Sequence, residues 1–424
     1  MEILIVTIFI VGYIAIAFEH SININKAASA ILTGVLCWVV IALSPELPNN
    51  NSHPALEGLN HHLGEISSIL FFLLGAMTIV ELMDAHDGFD VITNRINTTN
   101  KRTLLWIVGF VAFFLSSVLD NLTATIVMVT LLSKLLTVKK DKWMFVCIVI
   151  IAANAGGAWS PIGDVTTTML WIGGQITPLN IMTRLILPSL TCLLVPLIIV
   201  SFRINGKFQK KEEQEDDKTT SLKNRNIVFW SGLSVLLFVP FFKTITHLPP
   251  YMGMLFGLGL LWILSEVIHK DKDEEDKRLF SVVHALRRVD VPSVLFFLGI
   301  LLAIAAIQST GLLIHMATFL EVHIKNMNLI IITIGILSAV VDNVPIVAAV
   351  QGMYDLSVYP PDHYFWEFLA YCAGTGGSVL IIGSAAGVAA MGMEKIEFFW
   401  YVKNISFLAL VGYLAGALIY MYVL

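Results

Sequence analysis

Charge is what this 424-residue chain has least of. Asp, Glu, Lys and Arg together make up 13%, while 57% of the residues are hydrophobic. Ordinary soluble domains carry roughly 25% charged residues. Segments of about 20 mostly apolar residues recur along the whole length, as bilayer-spanning helices require. That pattern excludes a soluble domain and points to a polytopic, all-α membrane protein. Cysteine is scarce as well: four residues (Cys37, Cys147, Cys192, Cys372), all in apolar segments without ligand spacing. They read as small hydrophobic packers, which excludes a disulfide framework and a thiolate metal centre. No cofactor and no nucleic-acid partner are expected. The opening MEILIVTIFIVGYIAIAF lacks a cationic n-region and a small-residue cleavage site, so it is expected to be a retained first helix.

Ten spans are expected, at 2–18, 27–43, 66–83, 143–171, 180–202, 227–242, 250–268, 291–307, 365–392 and 398–423. Two further apolar segments carry a polar break in the middle: SSVLDNLTATIVMV (116–129) and LSAVVDNVPIVAAV (337–350). Each is long enough for two short limbs, and irregular backbone at membrane depth is tolerated only where protein or a cavity surrounds it. Re-entrant hairpins over 103–138 and 328–358 therefore fit better than single crossings. Counted this way, one face collects 23 of the 26 Lys and Arg, leaving only Arg184, Lys243 and Lys325 on the other. By the positive-inside rule the rich face is cytoplasmic, and both termini lie outside. Residues 203–226 and 269–278 read as charged linkers, and 87–100 and 311–326 as amphipathic helices along the interface.

The two halves echo each other. Ser116-x3-Asp120-Asn121 returns as Ser338-x3-Asp342-Asn343, and Asn154-Ala-Gly-Gly157-x5-Gly163-Asp164 as Gly374-Thr-Gly-Gly377-x5-Gly383-Ser384. Glu65-x2-Ser68 is answered by Asp290-x2-Ser293. With five crossings in each half, an odd number, the second must be upside down relative to the first. The expected layout is two inverted repeats, 1–202 and 227–424, each with a hairpin followed by a broken helix (143–171 and 365–392). Broken helices meeting near the midplane are the architecture of secondary transporters.

The chemistry concentrates there. Gly-Gly followed by Pro161 and Gly163 should unwind the first long segment and free backbone carbonyls. An intramembrane carboxylate costs about 2.5–3.5 kcal/mol on insertion scales, which makes Asp120, Asp164 and Asp342 functional candidates. No cationic residue falls at the expected midplane, so each acid must hold either a proton or a metal cation. A hard monovalent cation needs several oxygens. The candidate ligands are Asp120, Asn121, Thr123, Asn154, Asp164, Thr166 and Thr167 in the first half. Ser338, Asp342, Asn343, Ser378 and Ser384 are their counterparts in the second. Ala386-Gly387 replaces the threonines, which places the main site on the first hairpin and first broken helix. Glu65 and Asp290 read as helix caps. Glu81 and Asp84 read as snorkelling acids or vestibule lining, and His86 as a surface histidine or a pH sensor at the cytoplasmic mouth.

Together with GAMTIVELMDAHDGF (75–89), the stretches SSVLDNLTATIVMV and NAGGAWSPIGDVTTTMLW resemble the NhaD-type sodium/proton antiporters. These belong to the ion transporter superfamily, with arsenite exporters and dicarboxylate and citrate carriers. The resemblance implies exchange of Na+ or Li+ for H+ in a bacterial inner membrane, by a homodimer with a scaffold and an elevator-like transport core, favoured by alkaline pH. It carries Asp120, Asn121, Asn154, Asp164, Thr166, Thr167, Asp342 and Asn343 over as site residues. The rival within the superfamily is an arsenite or anion exporter or a carboxylate carrier, although tips reading Asp-Asn disfavour an anion. An intramembrane aspartyl protease, suggested by Gly163-Asp164, leaves Asp342 and the repeat unexplained.

Overall fold

The computed structural model describes residues 1–44, 54–93, 96, 98–208, 221–270 and 280–423. Every regular element among them is helical; a single isolated bridge joins Asn100 to Lys207. The chain begins with α1 (Glu2–Ala17), α2 (Glu19–Ile22), α3 (Lys26–Ala42), α4 (Pro54–Ala85) and α5 (Asp90–Thr93). Next come α6 (Lys101–Ser116), α7 (Asn121–Leu135), α8 (Lys139–Ala158), α9 (Val165–Ile172) and α10 (Pro178–Arg203). The second half has α11 (Leu222–Thr246), α12 (Pro250–Ile268), α13 (Val282–Arg288), α14 (Val291–Ser309) and α15 (Leu312–Ile324). It continues with α16 (Met327–Leu337), α17 (Asn343–Met353), α18 (Tyr364–Gly376), α19 (Ala385–Glu394) and α20 (Phe398–Tyr401). A π-helical turn (Val402–Ser406) then leads into α21 (Phe407–Val423).

Among the described residues seven helices are long and apolar enough to cross a membrane. The bent pair α15–α16, which turns by 119°, would make eight. α1 and α3, with 16 and 17 residues, are shorter apolar helices.

Both polar interruptions fall where the sequence puts them. Asp120 ends the gap between α6 and α7, and Asp342 the gap between α16 and α17; each caps the helix that follows. The chain then returns to where each pair began. Lys101, at the start of α6, meets Asp141 at the start of α8 at 2.5 Å. In the second half, α16 likewise packs against α18. Each pair is fastened to the following broken helix in the same way. The Ser116 hydroxyl donates to the Ala153 carbonyl (2.6 Å), and the Ser338 hydroxyl to the Ala373 carbonyl (2.9 Å). Gly156 and Gly376 make this approach possible, because a Cβ there would sit 2.1 Å from the Phe113 carbonyl oxygen and 1.9 Å from that of Gly335.

The broken helices α8–α9 and α18–α19 run in opposite directions. Lys142, at the start of α8, pairs with Glu394, at the end of α19 (2.9 Å). Thr177, just beyond α9, donates its hydroxyl to Asp362, just before α18 (2.7 Å). Around them lies the larger apolar core. A second core joins α1, α3, α4 and α14, where the Trp38 indole donates to the Leu302 carbonyl (2.9 Å).

Several expectations need correction. Of the amphipathic helix expected over 87–100, the described residues hold only the four of α5, with Asp87 in a left-handed turn ahead of it at φ 55°; 94, 95 and 97 lie outside the described residues. Its counterpart in 311–326 is present as α15. Glu65 caps nothing: it lies in the middle of α4, 3.6 Å from His61 and from His62. Asp290 does cap α14. His86 is buried rather than superficial, its ring 5.0 Å from that of His269 and 5.1 Å from Phe280. Glu81 and Asp84 both pair with Arg288 (3.1 and 2.6 Å). α11 starts at Leu222, inside the expected linker 203–226, of which 209–220 lies outside the described residues, as does 271–278 of the second linker.

Candidate functional site

The site forms where the two breaks and the two hairpin tips meet. The first break spans Trp159–Asp164 and the second Gly377–Ser384. Gly156 and Gly157 remain helical, so unwinding begins only after Ala158, and these glycines serve close approach instead. Each break ends on a residue that caps the next helix. Asp164 accepts from the Thr166 backbone N–H (3.2 Å), and Ser384 from that of Gly387 (3.2 Å). Carbonyls exposed by the first break are taken up locally: the Thr167 hydroxyl donates to Asp164 and that of Thr168 to Pro161.

Asn154, fully buried on α8, is the hub. Its Oδ1 accepts from the Asn121 amide at the first tip (3.1 Å). Its Nδ2 donates to the Ser378 and Ser384 hydroxyls of the second break, both at 2.9 Å. Asn343, at the second tip, donates its amide to Asp164 Oδ2 at 3.1 Å. The breaks are thus served crosswise, each by an asparagine from the opposite half. Asp164 is 2% exposed, and the donors it meets are neutral. The Thr166 hydroxyl beside it, also buried, makes no protein hydrogen bond of ordinary geometry.

Asp120 and Asp342 stand apart from this network. The Asp120 carboxylate accepts from the backbone N–H and hydroxyl of Thr123 (2.8 and 2.6 Å). Asp342 accepts from the Val344 N–H, and its own N–H donates to the Tyr13 hydroxyl. Both acids line a cavity between the tips and helices α4, α11, α12 and α14, with apolar walls that include Phe72, Met77, Leu236, Met254 and Phe297. Lys26 lines it too, its ammonium 4.5 Å above the Phe296 ring. Lys26 and Tyr13 escape sequence reasoning because they look like helix-flanking and interfacial residues. Only the packing of α1 and α3 brings them to the acids. Among the described residues no three His, Cys, Asp or Glu side chains converge, and Lys26 is a cation at the cavity where the sequence leads one to expect none at the midplane. Ser338 lies outside the network, its hydroxyl engaged in the tie to Ala373.

A family model described as a citrate transporter matches residues 13–367. The chain belongs to that family. Within it, the chain is of the NhaD antiporter type. It is 50% identical, over 98% of its length and 71% of the relative's, to sodium/proton antiporter 1 of Arabidopsis thaliana. It is 47% identical to sodium/proton antiporter 2 of the same plant over 98% of both chains. The Na(+)/H(+) antiporter NhaD of Vibrio cholerae is 31% identical over 98% of this chain and 90% of its own. The fold resembles that of the YdaH transporter of Alcanivorax borkumensis, with a TM-score of 0.56 at 11% identity over 92% of this chain and 97% of the other. The protein is thus a multi-pass membrane transporter.

Proposed function

We propose that this protein exchanges Na+ for H+ across a membrane, each ion taking its turn at buried carboxylates. The observation that carries this reading is Asp164: a buried carboxylate at a helix break, held by neutral donors only, must bind a proton or a metal cation to remain in apolar surroundings. The names of the relatives supply the ions. Moving one elementary charge through a membrane potential is worth about 2.3 kcal/mol per 100 mV, which exceeds the roughly 1.4 kcal/mol of a tenfold gradient.

The architecture in this reading is two inverted repeats of five crossings plus a re-entrant hairpin, with the Lys101 and Glu394 end cytoplasmic and both termini outside. The opposed broken helices, the paired Ser ties and the charge sorting support it. Hairpins and broken helices form the moving core, and α1, α3, α4 and α14 the scaffold, with the cavity at their boundary as the cytoplasmic access route. Lithium as a second substrate, activity favoured by alkaline pH, pairing of two copies and a bacterial inner membrane belong to the same reading through the family resemblance. The two plant relatives are nearer in sequence than the bacterial one. Citrate, named in the family description, is disfavoured because Asp120 and Asp342 would repel it.

The test is Na+-dependent proton flux in vesicles carrying wild type, Asp120→Asn and Asp164→Asn. Loss in both variants is expected; wild-type flux in both would sink the proposal. Arsenite tolerance without Na+ or Li+ tolerance, in a host lacking its own pumps, would favour the exporter.

A further inference from the structure

The cavity that Asp120 and Asp342 line has a positive charge in its own wall. Lys26, the first residue of α3, lines it together with both acids. The backbone there is pinned from two sides. Asn25 caps α3 by accepting from the Ala27 N–H (2.9 Å), and the Lys26 N–H donates to Glu19 Oε1 (3.1 Å). A cation in the first turn opposes the helix dipole, so α3 itself gains nothing from a lysine at this position. The ammonium lies 4.5 Å over the ring of Phe296, which is buried, whereas a lysine serving only as an interfacial anchor keeps its head in water. Among the described residues the two acids accept from Thr123 and from the Val344 N–H, not from the ammonium. The neighbouring charges are engaged elsewhere: Asp290 accepts from the Ser293 N–H and hydroxyl, and Glu81 pairs with Arg288.

Resting on the cation-exchange reading above, we propose that Lys26 is a resident positive charge that sets how weakly the cavity holds a transported cation. Two carboxylates facing one apolar-walled space attract any cation that enters, and a site that binds its ion too tightly in the ground state gains nothing in turnover. A fixed ammonium in the same wall repels the entering ion. Where apolar walls exclude water, that repulsion acts across the cavity without contact. Lys26 is thus an affinity-setting residue and not a ligand: its charge matters, and its shape need only hold the charge over Phe296.

The experiment measures Na+ half-saturation of proton flux, at one alkaline pH, in proteoliposomes holding the full chain. Lys26→Met removes the charge at similar length, Lys26→Arg keeps the charge, and Lys140→Met is a control at the exposed start of α8. Lys26→Met is expected to lower the Na+ half-saturation about tenfold, the order of effect of a unit charge in a partly dry site, with no gain in maximal flux. Lys26→Arg should stay close to wild type, and Lys140→Met should match it because salt and water screen an exposed charge. An unchanged or raised value in Lys26→Met overturns the proposal. So does an equal fall in Lys26→Arg, which makes shape the cause, or in Lys140→Met, which makes it a general surface effect. Should Lys26→Met fail to accumulate or to carry flux, Lys26→Cys decides, since the four native cysteines are buried. Its modification by a cationic aminoethyl thiosulfonate should restore the wild-type value and a neutral methyl reagent should not; equal values after both overturn the proposal. Wild type without Na+-dependent proton flux would overturn the exchange reading itself, whereas a working wild type with an indifferent Lys26→Met overturns only the role of Lys26.

Discussion

The two helix breaks share one backbone plan and differ in chemistry. Each follows a tight hairpin-to-helix contact, unwinds after a Gly-Gly pair, and ends on a residue that caps the next helix. In the first break that residue is Asp164, followed by Thr166 and Thr167; in the second it is Ser384, followed by Ala386 and Gly387. The first break thus has a carboxylate and a spare hydroxyl, while the second has hydroxyls already occupied by Asn154. The two breaks share a geometry, and only the first of them carries a carboxylate. Cross-service by Asn154 and Asn343 makes the site a property of the pair.

This contrast can be tested at its strong side first. Asp164→Asn should reduce Na+-dependent proton flux by at least about a hundredfold, while Ser384→Ala should cost only a few-fold. Comparable losses in both would erase the distinction between the breaks. Next, if one carboxylate takes either ion, the apparent Na+ half-saturation should rise about tenfold for each pH unit of acidification, because the ligand must be deprotonated to bind metal. The maximal flux at saturating Na+ should be retained; a pH-independent half-saturation would argue for separate sites. Asn343→Ala removes a hydrogen bond to a charged group, worth about 1.5–3 kcal/mol, and should raise Na+ half-saturation tenfold or more with little effect on folding. The smallest effect is expected at Asp84, whose pair with Arg288 is exposed on both sides. Asp84→Asn should lower stability by less than about 1 kcal/mol, read as a small shift in thermal unfolding of the detergent-solubilised protein.

Much of the fold was legible because a bilayer imposes strict rules on sequence. Apolar runs marked the long helices, and the Asp-Asn pairs at 120–121 and 342–343 marked the tips because no other arrangement shelters them. The failures have local causes. Asp87 adopts a left-handed turn, so the helix expected from 87 starts only at Asp90. Glu65 looked like a cap because its helix begins not near 65 but at Pro54, ahead of a polar turn. From sequence His86 reads as a surface histidine or a pH sensor at the cytoplasmic mouth, because nothing there reveals that the ends of α4 and α12 pack together and enclose it.

Of the twelve candidate ligands, the structure joins Asn121, Asn154, Ser378 and Ser384 in one chain of hydrogen bonds, sets Asn343 and Thr166 on the Asp164 carboxylate, and turns the Thr167 hydroxyl to the Asp164 backbone carbonyl. It leaves Asp120, Thr123 and Asp342 beside the cavity and Ser338 in a packing tie. The residue types, the repeat and the two interruptions follow from sequence because each answers to the cost of polar groups in an apolar solvent. Tertiary structure alone decided the crosswise service of the two breaks by Asn154 and Asn343 and the arrival of Lys26 and Tyr13 at the cavity. Those depend on which helix faces lie within a few ångströms, and hydropathy carries no record of distance.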